Sequence, residues 1–184
     1  MNRTICWFCL SSCLVLALPA RSAELPGACG PEKSDFKVEV AAASVGPAAP
    51  GAGMAQIIFL ETVDAQGPFV DTNAGARIGI DGAWVGAANG DSQVVSNVTP
   101  GEHHVCANWP GGDDPFWKRT ALSRFNAEPG RTYYFRVEID QKQYFMGSAL
   151  HSTDHTLRLE AVDSDEGKYL ASFLPIASSS LKKK

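Results

Sequence analysis

The sequence lacks several features that would point to a particular activity. Its positive charge is sparse, with 16 Lys and Arg against 20 Asp and Glu, and the only lysine cluster is at residues 182–184. Nucleic acid is therefore not an expected partner, because phosphate binding needs clustered cations. We find no glycine-rich phosphate loop, no closely spaced cysteine pair of the zinc type and no nucleophile-elbow serine. These absences predict no catalytic residue, no metal site and no cofactor.

No apolar run reaches the ~20 residues needed to span a bilayer. The longest extends over residues 5–18, follows Arg3 and precedes small residues, which is the layout of a secretory signal peptide. We predict that residues 1–22 are the signal, cleaved after Ser22, with cleavage after Ala23 as the alternative. The chain is thus expected to be periplasmic or secreted.

Lipid attachment is a second possibility for this leader. The tetrapeptide ending at Cys13, Leu-Ser-Ser-Cys, reads like the box at which bacterial lipoproteins are cut and acylated. The apolar run continues beyond Cys13, however, which favours an interior position in the signal. A membrane is expected as a partner only if Cys13 is lipidated.

Five cysteines become two when the predicted signal is removed, namely Cys29 and Cys106. An even number in an oxidising compartment predicts a disulfide, with two free thiols as the alternative. The bond requires the two Cα atoms to lie within about 7 Å.

A hairpin is predicted at Asp81-Gly82, which lies between two apolar stretches. Two-residue Asp-Gly turns adopt type I′ geometry, with positive φ at both positions. We expect the following pairs to face one another: Ile80 with Ala83, Gly79 with Trp84, and Ile78 with Val85.

The spacing Asn-x-x-Pro-Gly occurs twice, at residues 97–101 and 126–130, each time ahead of a predicted strand. Proline presets φ and the following glycine accepts positive φ, as in a type II turn. Two copies are too few for a repeat protein, so we expect the same type of turn at two places in one domain.

The fold class predicted from these patterns is all-β. Small and uncharged residues at 41–53 suggest a linker, and Asp163, Glu166 and Pro175 mark one short C-terminal helix. We predict an antiparallel β-sandwich of about seven to eight strands. Strands are expected at residues 36–40, 56–63, 121–125, 133–140, 143–146 and 157–162, in addition to those of the hairpin region. The predicted organisation is an N-terminal segment with linker over 23–53, the sandwich over 54–176 and a disordered tail over 177–184.

Five motifs occur in an order that resembles a known family. They are ACGP at 28–31, RIGIDGAWVG at 77–86, PGEHHVCAN at 100–108, TYYFR at 132–136 and DSDEGKYL at 163–170. Over about residues 28–176 the chain resembles the bacterial family called domain of unknown function 2846, and it is more distantly similar to PEGA-type β modules. The resemblance implies an exported, often lipoprotein-like, bacterial β domain and brings no catalytic residues with it.

Two histidine pairs and one acidic stretch have partial features of metal sites. His103 and His104 are adjacent in a predicted strand, so they point to opposite faces and cannot chelate one ion. The pair His151 and His155 has i, i+4 spacing but sits in an apparent polar turn without a third ligand. Residues 71–75 resemble part of a calcium loop but lack its terminal glutamate, which favours an ordinary turn.

Aromatic residues flank the loop at 110–116, and they are the predicted partner-binding residues: Trp109, Phe116 and Trp117. Loops at sandwich ends often carry recognition, and aromatic anchors supply contact area. The alternative is that these rings fold back over the core.

The leading functional hypothesis is a non-enzymatic envelope or secreted module that binds an unknown envelope protein or glycan. The alternative is a small periplasmic hydrolase or metal-dependent enzyme, which requires polar groups that converge in one pocket.

Overall fold

Strands account for 55% of the residues that the structure describes, which also include one short α-helix. The computed structural model describes residues 25–44, 46–67, 70–111, 116–147 and 150–182. Within them lie a 3₁₀ turn at Phe116–Arg119, the helix α1 (Ser164–Phe173) and ten strands. The strands are β1 (Phe36–Val40), β2 (Ala55–Gln66), β3 (Arg77–Ile80), β4 (Ala83–Ala87), β5 (Ser92–Val98), β6 (Gly101–Asn108), β7 (Thr120–Ala127), β8 (Thr132–Met146), β9 (Leu150–Val162) and β10 (Ala177–Leu181).

The strands form two four-stranded sheets and one small sheet. The first sheet has the order β5-β2-β8-β9, the second sheet has the order β4-β3-β6-β7, and β1 pairs with β10. The pairing of β2 with β8 is parallel, so the prediction of a purely antiparallel fold is wrong. Parallel neighbours need a crossover connection, and the chain between β2 and β8 supplies it by passing through the second sheet.

One hydrophobic core joins the two four-stranded sheets. Ile57 and Phe59 of β2 enter it from the first sheet, and Val105 and Ala107 of β6 enter it from the second, all at 0–1% exposure. Their spacing of two residues follows from the alternation of side chains along a strand. The outward faces of both sheets are therefore the ones available for other elements.

Both Asn-x-x-Pro-Gly turns connect one sheet to the other. The first leads from β5 to β6 and the second from β7 to β8. Gly101 and Gly130 have the predicted positive φ, at 133° and 75°. The repeated turn is thus the point at which the chain changes sheets.

The Asp81-Gly82 hairpin is confirmed, with φ of 50° and 87° at the two turn residues. Its register holds for the two pairs next to the turn and then shifts at a bulge, so Ile78 faces Gly86 instead of Val85. The prediction for Val85 is therefore wrong. A bulge adds one residue to a strand, and it leaves Val85 39% exposed.

Strand predictions near the chain ends need two corrections. Residues 143–146 are the end of the long strand β8, which continues without a break from Thr132. Residues 177–181, expected in a disordered tail, form β10 and pair with β1 from Phe36↔Leu181 to Val40↔Ala177. With β10 and a β9 that begins at Leu150, the described strands outnumber the predicted seven to eight.

Helix α1 begins and ends where the sequence predicts. The Asp163 carboxylate accepts the backbone N–H groups of Asp165 and Glu166, at 2.8 and 3.0 Å, and so caps the first turn. Gln93 of β5, which is fully buried, donates through Nε2 to the carbonyls of Ala171 and Leu174 at the other end. The helix is thereby fixed on the outward face of the first sheet.

Candidate functional site

The predicted disulfide is present between Cys29 and Cys106. The two Cα atoms are 5.2 Å apart, within the range that a disulfide allows. Both cysteines are buried, Cys106 lies in the middle of β6, and it faces Gly79 in the register. Since Val105 and Ala107 point into the core, Cys106 points to the outward face of the second sheet.

A segment at residues 26–35, here called the strap, contains two turns and crosses this outward face. The disulfide anchors it, and the Ala28 carbonyl accepts the Gly82 N–H at 3.1 Å. It approaches the sheet so closely that a Cβ on Gly79 would lie 3.0 Å from the Ala28 oxygen and 3.3 Å from the Trp84 ring. The small residue at Gly79 is therefore required by packing.

Trp84 and Arg77 hold the second half of the strap. Trp84 Nε1 donates to the Pro31 carbonyl at 2.8 Å, and Arg77 Nη1 donates to the carbonyls of Glu32 and Ser34 at 2.6 and 2.9 Å. The guanidinium also stacks on the Trp84 ring, 4.8 Å from its centre. A buried arginine thus finds its partners in backbone carbonyls of the strap, which explains why it lies on an outward face without being exposed.

A cleft of about 580 Å³ lies between the start of the strap and strands β6 and β7. It is the candidate functional site. Its lining residues are Pro26, Gly27, Ala28, His104, Leu122, Ser123 and Arg124. His104 and Arg124 face each other across the two strands, and Leu122 faces Cys106 in the next outward-pointing pair. The cleft therefore has a polar end and an apolar end.

The polar end rests on an ion pair beneath it. His103 Nδ1 lies 2.6 Å from a carboxylate oxygen of Asp81, and His103 Nε2 lies 2.7 Å from the Thr99 carbonyl oxygen. Both oxygens accept hydrogen bonds, so this geometry favours a proton on each ring nitrogen, which is the imidazolium form of His103. Burial of the ring lowers the pKa of His103, but the bonds to Asp81 and Thr99 more than offset it and raise the pKa above its ordinary value of 6.5.

The second Asp81 oxygen accepts the backbone N–H of His104 at 2.8 Å, so each oxygen of this carboxylate has a hydrogen-bond partner. Its pKa is lowered overall, since burial acts to raise it but the hydrogen bonds from His103 and His104 outweigh that effect. The His104 ring lies on the surface and contacts the Glu102 carboxylate through Nε2 at 3.2 Å. The acids beside the cleft are each paired with a histidine or a backbone donor.

The predicted partner-binding aromatics divide into two groups. Trp109 is 4% exposed, belongs to the core and contacts the His155 ring edge-on at 4.9 Å, so the prediction that it presents a contact surface is wrong. Trp109 directly follows the last residue of β6, Asn108, so it stays close enough to the core for its ring to fold inward. Phe116 and Trp117 begin the 3₁₀ turn, but their side chains lie outside the described part of the structure, and their role stays a prediction.

The residues considered as metal ligands in the sequence, His151 with His155 and the stretch 71–75, do not form a metal site in the described part of the chain. His151 and His155 are both in β9, where four residues span about 13 Å, and the expected polar turn between them is absent. Asp71 forms a local turn, in which its carboxylate accepts the Asn73 N–H at 2.9 Å. In the described ranges no three His, Cys, Asp or Glu side chains are grouped as a metal site requires.

Glu61 is the most perturbed acid of the described chain. Its side chain is fully buried among core residues of β2, where one carboxylate oxygen accepts the Ala76 N–H at 2.7 Å and the other has no hydrogen-bond partner. Burial raises its pKa well above the ordinary 4.5. A shifted pKa marks a functional candidate only in a cleft, and Glu61 does not line the cleft at His104 and Arg124.

Sequence reasoning missed Leu122 and Arg124. Both lie in β7, which was predicted as a strand, and their alternation with Ser123 and Phe125 places them on the outward face. The sequence does not show that these two residues line a cleft, because the cleft exists only where the strap lies over the sheet. The disulfide determines that position of the strap.

Comparisons with protein-family models, curated proteins and solved structures give no match. The resemblance to the family called domain of unknown function 2846 therefore remains an expectation. As for membrane association, α1 is too short and too polar to cross a bilayer, and no other described helix is long and apolar enough to do so.

Proposed function

We propose that this chain is an exported, non-enzymatic β-sandwich of the bacterial envelope that binds a partner in the cleft beside the strap. The leader-like residues 1–22 and the disulfide support export, since disulfides persist in oxidising compartments. The two four-stranded sheets around one core support the sandwich arrangement.

The observation that carries the binding role is the exposed Leu122. Its side chain is 50% exposed inside a concave site, between the strap and the unpaired Arg124. Isolated surface leucines are common, but an apolar side chain in a concave site next to a charged group is typical of a binding site. An envelope protein or a glycan is the expected partner, nucleic acid is not, and a membrane is a partner only if Cys13 is lipidated.

Site-specific photocrosslinking in the bacterial periplasm tests this proposal. A photoreactive residue is placed at Leu122 and, as matched controls, at the exposed positions Val85 and Tyr144 outside the cleft. We expect an adduct with an envelope component from Leu122 and none from the controls. Equal adducts at all three positions, or none at Leu122, would contradict the proposal.

Export is checked in the same samples by the mass of the mature chain, which should begin at Ala23. An intact leader on the folded protein would contradict the predicted compartment. The alternative, a hydrolase or metal-dependent enzyme, requires turnover of a small ester or amide that is lost when His104 is replaced by Ala.

A further inference from the structure

Arg124 differs from the other arginines of the described chain. Six arginines are described, and Arg124 is the one among them whose side chain forms no hydrogen bond or ion pair. The other five bind protein groups: Arg77 binds Asn108 and the strap, Arg119 binds backbone carbonyls, Arg131 binds Glu128, Arg136 binds Glu166, and Arg158 binds Glu138 and Asp140. Arg124 thus presents all its donors to the cleft and to solvent.

The two acids that contact His104 form no ion pair with this guanidinium. Asp81 is bonded to the His103 ring and to the His104 backbone N–H, and Glu102 contacts the far nitrogen of the His104 ring. His104 itself stands opposite Arg124 and adds further donor capacity at the same end of the cleft. The polar end therefore favours an anion.

The other end of the cleft is apolar. Leu122 of β7 lines it together with Pro26 and Ala28 of the strap. The Cys29–Cys106 bond ties the strap to the sheet beside Leu122, which faces Cys106. A ligand that fills both ends needs an apolar body with an anionic group at one end.

We propose that the cleft binds a carboxylate carried on an aliphatic body, with Arg124 binding the carboxylate and Leu122 covering the aliphatic part. This inference rests on the binding role proposed above and specifies its ligand class. The planar guanidinium matches a carboxylate with two parallel hydrogen bonds, which a lysine does not provide. Two sources supply this chemistry: a free fatty acid, or the C-terminus of a polypeptide that ends in an aliphatic residue.

Calorimetric titration with three small probes separates the two contributions. Octanoate carries both groups, octanol has the same body without the charge, and acetate has the charge without the body. Octanoate is expected to bind at least about tenfold more tightly than octanol, because charge-assisted hydrogen bonds are the stronger kind. Acetate is expected to bind more weakly than either.

Substitutions at Arg124 and Leu122 test separately which end of the cleft binds the carboxylate and which binds the aliphatic part. Arg124→Gln should weaken octanoate binding about 10- to 100-fold and leave octanol within about twofold. Leu122→Ser should weaken both probes, by about three- to tenfold. Arg131→Gln, which changes an exposed arginine away from the cleft, is the matched control and should change neither. Melting curves of each variant establish that it is folded.

The same titration with a leucine-terminated peptide, as free acid and as amide, identifies the source. A free acid that binds more tightly than octanoate and much more tightly than its amide points to a polypeptide C-terminus, and the reverse order points to a fatty acid. Equal affinities for octanoate and octanol, or an Arg124→Gln variant that binds octanoate as the parent does, would overturn the proposal. If crosslinking at Leu122 succeeds while these probes fail, the ligand class is wrong and the binding role stands.

Discussion

Deprotonation of His103 should destabilise the native protein. The ring links the hairpin turn, through Asp81, to the turn that changes sheets, through the Thr99 carbonyl. It also packs on Phe125, with ring centres 5.6 Å apart. Losing one proton leaves one ring nitrogen facing an acceptor without a hydrogen to donate.

The free energy that the His103–Asp81 pair contributes to stability depends on how exposed the two side chains are. The His103 side chain is 10% exposed and the Asp81 side chain is 49% exposed, so solvent screens the pair from one side. Hydrogen bonds to charged groups contribute about 1.5–3 kcal/mol, and exposed ion pairs contribute about 0–1 kcal/mol. We expect a value between these limits, about 1–2 kcal/mol.

The raised pKa of His103 determines the direction in which stability changes with pH. A group whose pKa is higher in the folded state stabilises that state fully below its unfolded pKa of 6.5, and the contribution is lost as pH rises through the folded pKa. Asp81 has a lowered pKa, so its contribution is complete above 3.8 and is lost in acid. The stabilisation by the pair is therefore complete between pH 3.8 and 6.5 and declines on either side.

Denaturant unfolding of the parent and of His103→Gln, at half-unit steps from about pH 5.5 to 9, measures this effect. Buried Glu61 also makes stability fall as pH rises above 4.5, because its pKa is raised. The quantity of interest is thus the difference between parent and variant, which should shrink by about 1–2 kcal/mol over the range. His104→Gln, one residue along on the surface, is the control. A difference that stays constant with pH, or grows, would refute the protonated state of His103.

Further predictions concern stability and metal binding. Replacing Cys29 and Cys106 together by Ser should lower the free energy of unfolding by up to about 4.5 kcal/mol, since the bond joins residues 77 positions apart, and a loss under about 1 kcal/mol in denaturant titrations would contradict this. Gly167→Ala should cost about 1–3 kcal/mol in the same assay, because its Cβ would lie 2.2–2.6 Å from Tyr134 atoms, and an unchanged midpoint would show that the ring moves aside. Glu61→Gln should flatten the fall in stability above pH 4.5, and a profile as steep as the parent's would place the titration elsewhere. Zinc or calcium should leave the melting temperature unchanged, and a rise of several degrees would reveal a metal site.

Local sequence signals predicted the elements that depend on neighbouring residues. Asp81-Gly82 defines a hairpin because positive φ at two successive positions is a local property, and the structure confirms the turn and the first two pairs. Asp163 caps α1 for the same reason, since a cap needs only the next turn of the chain. The bulge that exposes Val85 was not predictable, because one extra residue in a strand leaves the pattern of alternation ambiguous.

Local sequence patterns could not predict which distant strands pair with one another. Serines at 178–180 carry no β signal of their own, yet they form β10 because β1 offers an open edge. The parallel neighbours β2 and β8 each show ordinary strand patterns, and nothing in either sequence states which strand lies beside it. Trp109 looked like a loop anchor, but its ring turns to the core and His155.

The sequence by itself determined a β-rich chain with one capped helix, its turns, and two cysteines able to join in an oxidising compartment. Periodicity, helix capping and turn formation depend on residues within a few positions of one another, so they can be predicted from one sequence. Only the tertiary structure decided that the strap crosses the second sheet and leaves a cleft at Leu122 and Arg124. That cleft arises from the strap and β7, which are more than ninety residues apart and are brought together by the disulfide and by the hydrogen bonds of Arg77 and Trp84 to the strap.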